Sequence, residues 1–302
     1  MVDVAGWRLL GGATSASGGA GDPHTADGAT NMAIDRALLE SVRDGAPPVL
    51  RFYRWDPPTL SFGRNQPARG LYDRDLARER GIAFVRRPTG GQAVLHADEV
   101  TYAVVAPVAV IGTPRAAYGT INRALVAGLR ALGVPAHLAG TGGDRGAASP
   151  GGGRTRPHAR AGTGSWSAAC FREPAAGELV VRGRKLVGSA QRCERGVVLQ
   201  HGSILVSGSQ APAEELLVRA VAAAVVAGVG AGPAASSAPG WTTLEAELGG
   251  PPGRDALVAA LATGFSDTLG TALAPGALSV EETTRVEALR ARFASSDWTW
   301  RR

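Results

Sequence analysis

Two residues in this sequence could act together in nucleophilic chemistry, a thiol and a cation to hold it as the thiolate. One is Cys170, in Ser167-Ala168-Ala169-Cys170-Phe171; the other is Lys185, in Gly183-Arg184-Lys185-Leu186-Val187-Gly188-Ser189-Ala190-Gln191. A thiol attacks an ester or thioester carbonyl as the thiolate, and a neighbouring cation holds it in that form. A hairpin running from Cys170 through Gly183 to Lys185 can bring an ammonium to that thiol. Lysine and arginine together number 32, and Lys185 is the single lysine among them. Elsewhere arginine supplies the positive charge. At 185 the chain keeps a compact ammonium, which fills a tight pocket and shifts its pKa there as a guanidinium cannot. Gly188, Ser189 and Ala190 leave room beside the strand for a ligand. Against this stand two plainer readings: a core cysteine between Ala169 and Phe171, and an ordinary hairpin lysine.

A third segment, Arg86-Arg87-Pro88-Thr89-Gly90-Gly91-Gln92-Ala93-Val94-Leu95-His96, brings two arginines off one strand, turns at a glycine pair and ends a second strand at His96. Paired glycines let backbone N–H groups approach an anion or a carbonyl closely, although a glycine pair is also what a plain hairpin uses. Arg87, Gly90, Gly91 and His96 are therefore read as substrate-binding residues, with Gly188, Ser189 and Ala190, and Arg86 as a surface charge. His96 and His201 can each shape a pocket or shuttle a proton, and each can equally be a hydrogen-bonded structural histidine. Cys193 sits in a polar hairpin tip and is read as incidental. The two cysteines lack zinc spacing, so no metal site is expected. There is no Walker loop and no Gly-x-Ser-x-Gly elbow, which argues against a serine hydrolase.

The elements that must position these residues follow from periodicity and turn chemistry. A helix capped by Thr30 or Asn31 runs to about Val42. Strands cover Val49 to Trp55 and Thr59 to Phe62, around Pro57-Pro58. A short helix, Asp73 to Arg80, precedes strands at Ile82 to Arg86 and Val100 to Val105. A helix from Thr120 to Leu132 ends at Gly133. Strands resume at Ser167 to Phe171, Glu178 to Val181, Lys185 to Gln191 and Val197 to Val206. Helices follow at Pro212 to Val229, Arg254 to Leu269 and Val280 to Phe293. The order is mixed strands and then a helical tail, which gives an α+β fold: a mixed β-sheet with flanking helices and a short helical C-terminal tail.

The chain has 302 residues, 44% of them hydrophobic and 19% charged, enough for one large core. It reads as one catalytic domain over 1–302, with a flexible Gly/Arg-rich insertion at 140–164 and a linker near 230–253. Nothing near Met1 reads as a signal peptide, and Ala220 to Ala231 is too short to span a bilayer, so a cytoplasmic protein without membrane association is expected. The net charge of +6 suits an acidic partner, either nucleic acid or protein, or simply reflects an arginine-rich composition. A non-catalytic, nucleic-acid-binding protein using the arginine-rich loop would leave Lys185 without a role.

Taken in order, several segments resemble the biotin/lipoate protein ligase and octanoyltransferase superfamily. They are Asn31-Met32-Ala33-Ile34-Asp35, Pro58 to Gln66, the Arg86–His96 segment, Gly183-Arg184-Lys185, Leu199 to Leu205, and the closing Asp297-Trp298-Thr299-Trp300-Arg301-Arg302. The resemblance implies a mixed sheet with an acyl-chain tunnel, and it aligns the family's invariant lysine with Lys185. Ala-Cys-Phe ahead of the Gly-Arg-Lys hairpin looks like the cysteine-dependent octanoyltransferases of the LipM type. It implies transfer of an octanoyl group from octanoyl-acyl carrier protein, through a thioester on Cys170, to a lysine of a lipoyl-domain protein. Glycine cleavage H protein and the E2 component of a 2-oxoacid dehydrogenase are the implied acceptors. No cofactor, metal or nucleic acid is implied. The rivals are an ATP-dependent lipoate ligase, in which Cys170 is only a core residue, and an amidotransferase moving lipoyl groups between proteins. The Gly-Arg-Gly-Arg loop of biotin ligases is missing.

Overall fold

A computed structural model describes residues 6–12, 24–140, 176–218 and 239–302. The expected strand at Ser167 to Phe171, with Cys170, lies outside these residues, as do 141–164 of the insertion, 219–229 of the helix expected to reach Val229, and 230–238 of the linker.

The main sheet has nine strands: β1 (Trp7–Leu10), β2 (Thr25–Ala26), β3 (Val49–Trp55), β7 (Glu99–Pro107), β8 (His137–Leu138), β9 (Leu179–Val181), β10 (Arg184–Glu194), β11 (Val197–Leu205) and β12 (Leu273–Pro275). Its order is β12-β1-β3-β7-β11-β10-β9-β8, with β2 pairing off β3. The centre, β3 to β10, is antiparallel, while β1 runs parallel to both β3 and β12. A second sheet of three strands, β5-β4-β6, is made of β4 (Thr59–Phe62), β5 (Ala83–Arg86) and β6 (Val94–His96). The α+β expectation holds.

Alternation along the central strands sorts their side chains onto two faces. One face carries Leu50, Phe52, Tyr102, Val104, Val198 and Ile204. It packs under α4 (Pro114–Ala131) and α7 (Arg254–Leu269) as the larger core. The other face carries Val49, Tyr53, Ala103, Val105 and Leu199, covered by α1 (Gly28–Arg43) and α8 (Val280–Ala294). The small sheet sets Leu60, Phe62 and Leu95 into a third core. Its opposite face carries Thr59, Ser61, Val94 and His96, with Thr59 paired to His96 and Ser61 to Val94.

Several boundaries differ from expectation for local reasons. Asp27 caps α1, its Oδ1 accepting from the Thr30 N–H at 2.7 Å. Asn31 is instead buried inside α1 and donates to the carbonyls of Ala26 and Arg54. The helix expected from Thr120 starts a turn and a half earlier, at Pro114, where the Thr113 side chain caps it. The fifth helix is a single turn, Pro212–Glu215, among the described residues. Residues 239–253, expected as linker, carry helix α6 (Leu244–Leu248), and Trp241 bridges to Lys185.

Two glycines set how closely α4 and α7 cross. A Cβ on Gly264 would stand 2.5 Å from both the Ala124 carbonyl oxygen and the Gly128 nitrogen. On helix propensity alone alanine is favoured over glycine by about 1 kcal/mol, but here the methyl group has nowhere to go. Gly264→Ala is expected to destabilise by about 1–3 kcal/mol. Gly119→Ala in α4, where the nearest atom is the mobile end of Arg123, should be neutral or stabilising. Urea unfolding midpoints of the two variants check this; a Gly264→Ala protein as stable as the parent would contradict the crossing geometry.

Candidate active site

Between the polar face of the small sheet and the α1-covered face of the main sheet lies a cavity. Register explains its wall. Tyr53, Thr101, Ser203 and Gly188 form one row across β3, β7, β11 and β10, and Arg51, Ala103, His201 and Ala190 form the next. Small residues at the β10 end of both rows keep the space open, while Met32, Tyr53 and Trp55 give it apolar wall.

Of the expected substrate-binding residues, the structure brings Arg87, Gly91, His96, Gly188, Ser189 and Ala190 to this cavity. Gly90 is exposed at the turn and absent from the wall; its carbonyl accepts from Arg87 Nε and Nη2 at 3.1 and 2.8 Å. Arg87 also donates to the Gln92 carbonyl at 2.6 Å and, through Nη1, to the Ser61 carbonyl and hydroxyl at 3.0 Å each. It is thus both wall and bracket of the glycine turn. That turn also packs tightly: a Cβ on Gly63 would stand 2.0 Å from the Gly91 carbonyl oxygen.

Lys185 is buried, 1% exposed, so it is not a surface hairpin lysine. Its Nζ donates to Glu178 Oε1 at 2.8 Å, and its backbone is clasped by Gly240 and Thr242. It lies outside the cavity wall as the described residues form it, three positions before Gly188 on the same strand. Cys193 is exposed.

Arg86 corrects the expectation of a surface charge. It is fully buried, donating to the carbonyls of Gly63, Gln66 and Thr299 at 2.7, 2.6 and 2.9 Å. Removal from water, with repulsion from Arg301, Arg302 and Arg87, lowers its pKa to about 10. Arg86 is buried under the C-terminal segment, whose Thr299 carbonyl accepts from it and whose Trp298 Nε1 donates to its carbonyl, while Arg87 is buried at the cavity against Ser61 and the glycine turn.

Two histidine networks meet at the cavity. His201 Nδ1 lies 2.8 Å from Asp35 Oδ2, and its Nε2 lies 2.6 Å from Thr89 Oγ1. Asp35 also accepts from Arg51 at 2.7 Å and from the Tyr53 hydroxyl at 3.0 Å. Burial alone would raise the Asp35 pKa, but the His201 hydrogen bond and the Arg51 charge outweigh it and hold the pKa low. For His201, burial wins over its bond to Asp35 and the pKa is lowered. A carboxylate only accepts, so Nδ1–H donates to Asp35 and Nε2 accepts from Thr89. The second network is His96, whose Nε2 lies 2.7 Å from Ser61 Oγ and whose Nδ1 lies 2.7 Å from Glu99 Oε1. Sequence reading missed Ser61, Glu99, Thr101, Ser203, Asp35 and the apolar wall. The available signal was register: Ser203 is two residues from His201, and Ser61 stands inside the Pro58–Gln66 segment.

The fold around this cavity is lipoate-protein ligase-like. The crystal structure of lipoate-protein ligase A bound with ATP superposes with a TM-score of 0.70 at 22% identity, over 98% of this chain and 99% of that one. Residues 27–266 match the lipoyl protein ligase A/B catalytic domain, and the chain belongs to that family. The octanoyltransferase LipM of Kyrpidia tusciae is 41% identical over 98% of this chain and 99% of its own length. That of Moorella thermoacetica is 38% identical over 98% of both.

The His201 assignment has a pH consequence. Its folded pKa is depressed, so as pH falls below the ordinary value of 6.5 the unfolded chain takes up a proton that the folded one does not. Stability contributed at this site is therefore complete above that value and declines below it. Urea midpoints followed from about pH 8 to pH 5 should fall less steeply for His201→Gln than for the parent; equal slopes would contradict a neutral His201.

Proposed function

We propose that this chain is an octanoyltransferase of protein lipoylation, which takes an octanoyl group from an acyl carrier protein, holds it as a thioester on Cys170 and passes it to a lysine of a lipoyl-domain protein. Its place among the acyltransferases rests on end-to-end similarity to LipM octanoyltransferases. The structural observation that carries the reading is the cavity. Its wall combines Met32, Tyr53 and Trp55 with the side-chain-poor stretch Gly188–Ala190 and places polar groups beside the glycine turn. A medium-length acyl chain needs the first two, and a reacting carbonyl needs the last.

In the proposed reaction the Cys170 thiolate attacks the donor thioester carbonyl, and the carrier thiol leaves. Lys185, the single lysine of the chain, buried and ion-paired with Glu178, is the cation assigned to favour the thiolate. The acceptor amine then attacks the octanoyl-enzyme and Cys170 leaves as thiol. Thioester to thioester is close to isoenergetic and thioester to amide is downhill, so neither ATP nor a metal ion is called for. Among the described residues no group of three or more His, Cys, Asp and Glu side chains could hold a metal ion. None of the described helices is long and apolar enough to cross a membrane. The Gly/Arg-rich insertion and the basic charge suit acidic carrier and lipoyl domains.

The test is transfer from octanoyl-acyl carrier protein to an apo lipoyl domain, without ATP. The parent should label the acceptor, and Cys170→Ala should cut the rate by about a thousandfold or more. Labelling by Cys170→Ala at the parental rate, or labelling only with free octanoate or lipoate plus ATP and magnesium, would mean a ligase and leave Cys170 to packing.

A further inference from the structure

Glu99, His96 and Ser61 are aligned as acid, imidazole and hydroxyl. Glu99 Oε1 gathers His96 Nδ1 at 2.7 Å and the Ser203 hydroxyl at 3.0 Å, together with the Thr101 hydroxyl. A carboxylate accepts, so Nδ1 carries the proton and Nε2 accepts the Ser61 hydroxyl at 2.7 Å. The ring is fixed by stacking on Trp55, with centroids 3.9 Å apart and planes at 11°. Arg87 Nη1 donates to Ser61 Oγ at 3.0 Å. This leaves one Ser61 lone pair to accept a further N–H. The second Glu99 oxygen is buried without a hydrogen-bond partner among the described residues.

The two histidines differ in where they lead. Both rings line the cavity, but His201 Nε2 is bonded to Thr89, which is not part of the wall, whereas His96 Nε2 is bonded to Ser61, which is. We infer that Ser61, His96 and Glu99 form a proton relay opening on the cavity, and that it deprotonates the acceptor lysine in the transfer reaction. The inference rests on the octanoyl-enzyme reading above. A lysine arrives as an ammonium and must lose two protons on becoming an amide N–H. One ends on the Cys170 sulfur as the C–S bond breaks and the C–N bond forms. The relay takes the other: the ammonium gives its proton to Ser61 Oγ as the Ser61 proton moves to His96 Nε2, and it leaves from there to solvent. The charged or titratable groups facing this path are Glu99, Arg87, His201 and Tyr53.

The experiment isolates octanoyl-enzyme of the parent, Ser61→Ala and Glu99→Gln, and discharges each with a lipoyl-domain acceptor or with hydroxylamine, an amine already neutral near pH 7. Discharge to lysine by both variants should slow by about a hundredfold or more near neutral pH and recover as pH is raised towards the lysine pKa of about 10.4. Discharge to hydroxylamine should proceed at the parental rate. A merely structural role would slow both nucleophiles alike, and that result overturns the relay, as does no slowing at all. Variants that fold but never acquire the octanoyl group would also overturn it, by placing these residues before the amine step. An octanoyl oxyester on Ser61 in Cys170→Ala would make the serine a nucleophile instead. If the parent itself forms no octanoyl-enzyme, the thioester reading fails and the relay falls with it.

Discussion

The buried carboxylate of Asp35 is the point on which the polar side of this fold depends. An ion taken out of water costs several kcal/mol unless its neighbours replace the lost hydration. Here Arg51, Tyr53 and His201 do so, at 2.7, 3.0 and 2.8 Å. Those partners come from β3 and β11, while Asp35 comes from α1. Satisfying one carboxylate therefore fixes the helix over the sheet. Through His201 and Thr89 it also fixes the strand-to-turn corner that ends in Gly90 and Gly91. Losing any one partner leaves a buried charge short of a bond.

From that anchor the cavity follows by register. Residues opposite one another across antiparallel strands share a face. The two rows containing Tyr53 and Arg51 therefore bring Thr101, Ser203, His201, Gly188 and Ala190 to one side of the sheet. The small sheet meets this side with Ser61, Val94 and His96. Where these polar groups are buried between a helix and a second sheet, their hydrogen bonds and charges are stronger than in solvent. The two arginines of the Arg86–Arg87 pair are interior on different sides of the small sheet, one holding the C-terminal segment and the other holding the glycine turn.

Where a strand or helix is long and strongly patterned, its limits were legible from sequence: Val49–Trp55 and Arg254–Leu269 appear as expected, and the short Thr59–Phe62 was legible from the Pro57-Pro58 turn before it. The short parallel strands Trp7–Leu10 and Leu273–Pro275 were not, because their pairing partners are distant in sequence and three or four residues show no period. Arg87, Gly91, His96 and Gly188–Ala190 were legible because turn glycines, small strand residues and clustered polar groups signal a pocket locally. Ser61 and Glu99 were not: a serine in an apolar strand and a glutamate at a strand start acquire meaning only when β4, β6 and β7 are brought together. Lys185 was singled out in the sequence by its rarity, and the structure buries it; its partner Glu178, across the hairpin, was not foreseen.

The most direct measurement of the central claim is the intact mass of the purified chain after incubation with octanoyl-acyl carrier protein, without ATP, for the parent and for Cys170→Ala. The account predicts one octanoyl adduct on the parent alone, released by hydroxylamine. No adduct on folded parent protein, or the same adduct on Cys170→Ala, would contradict it.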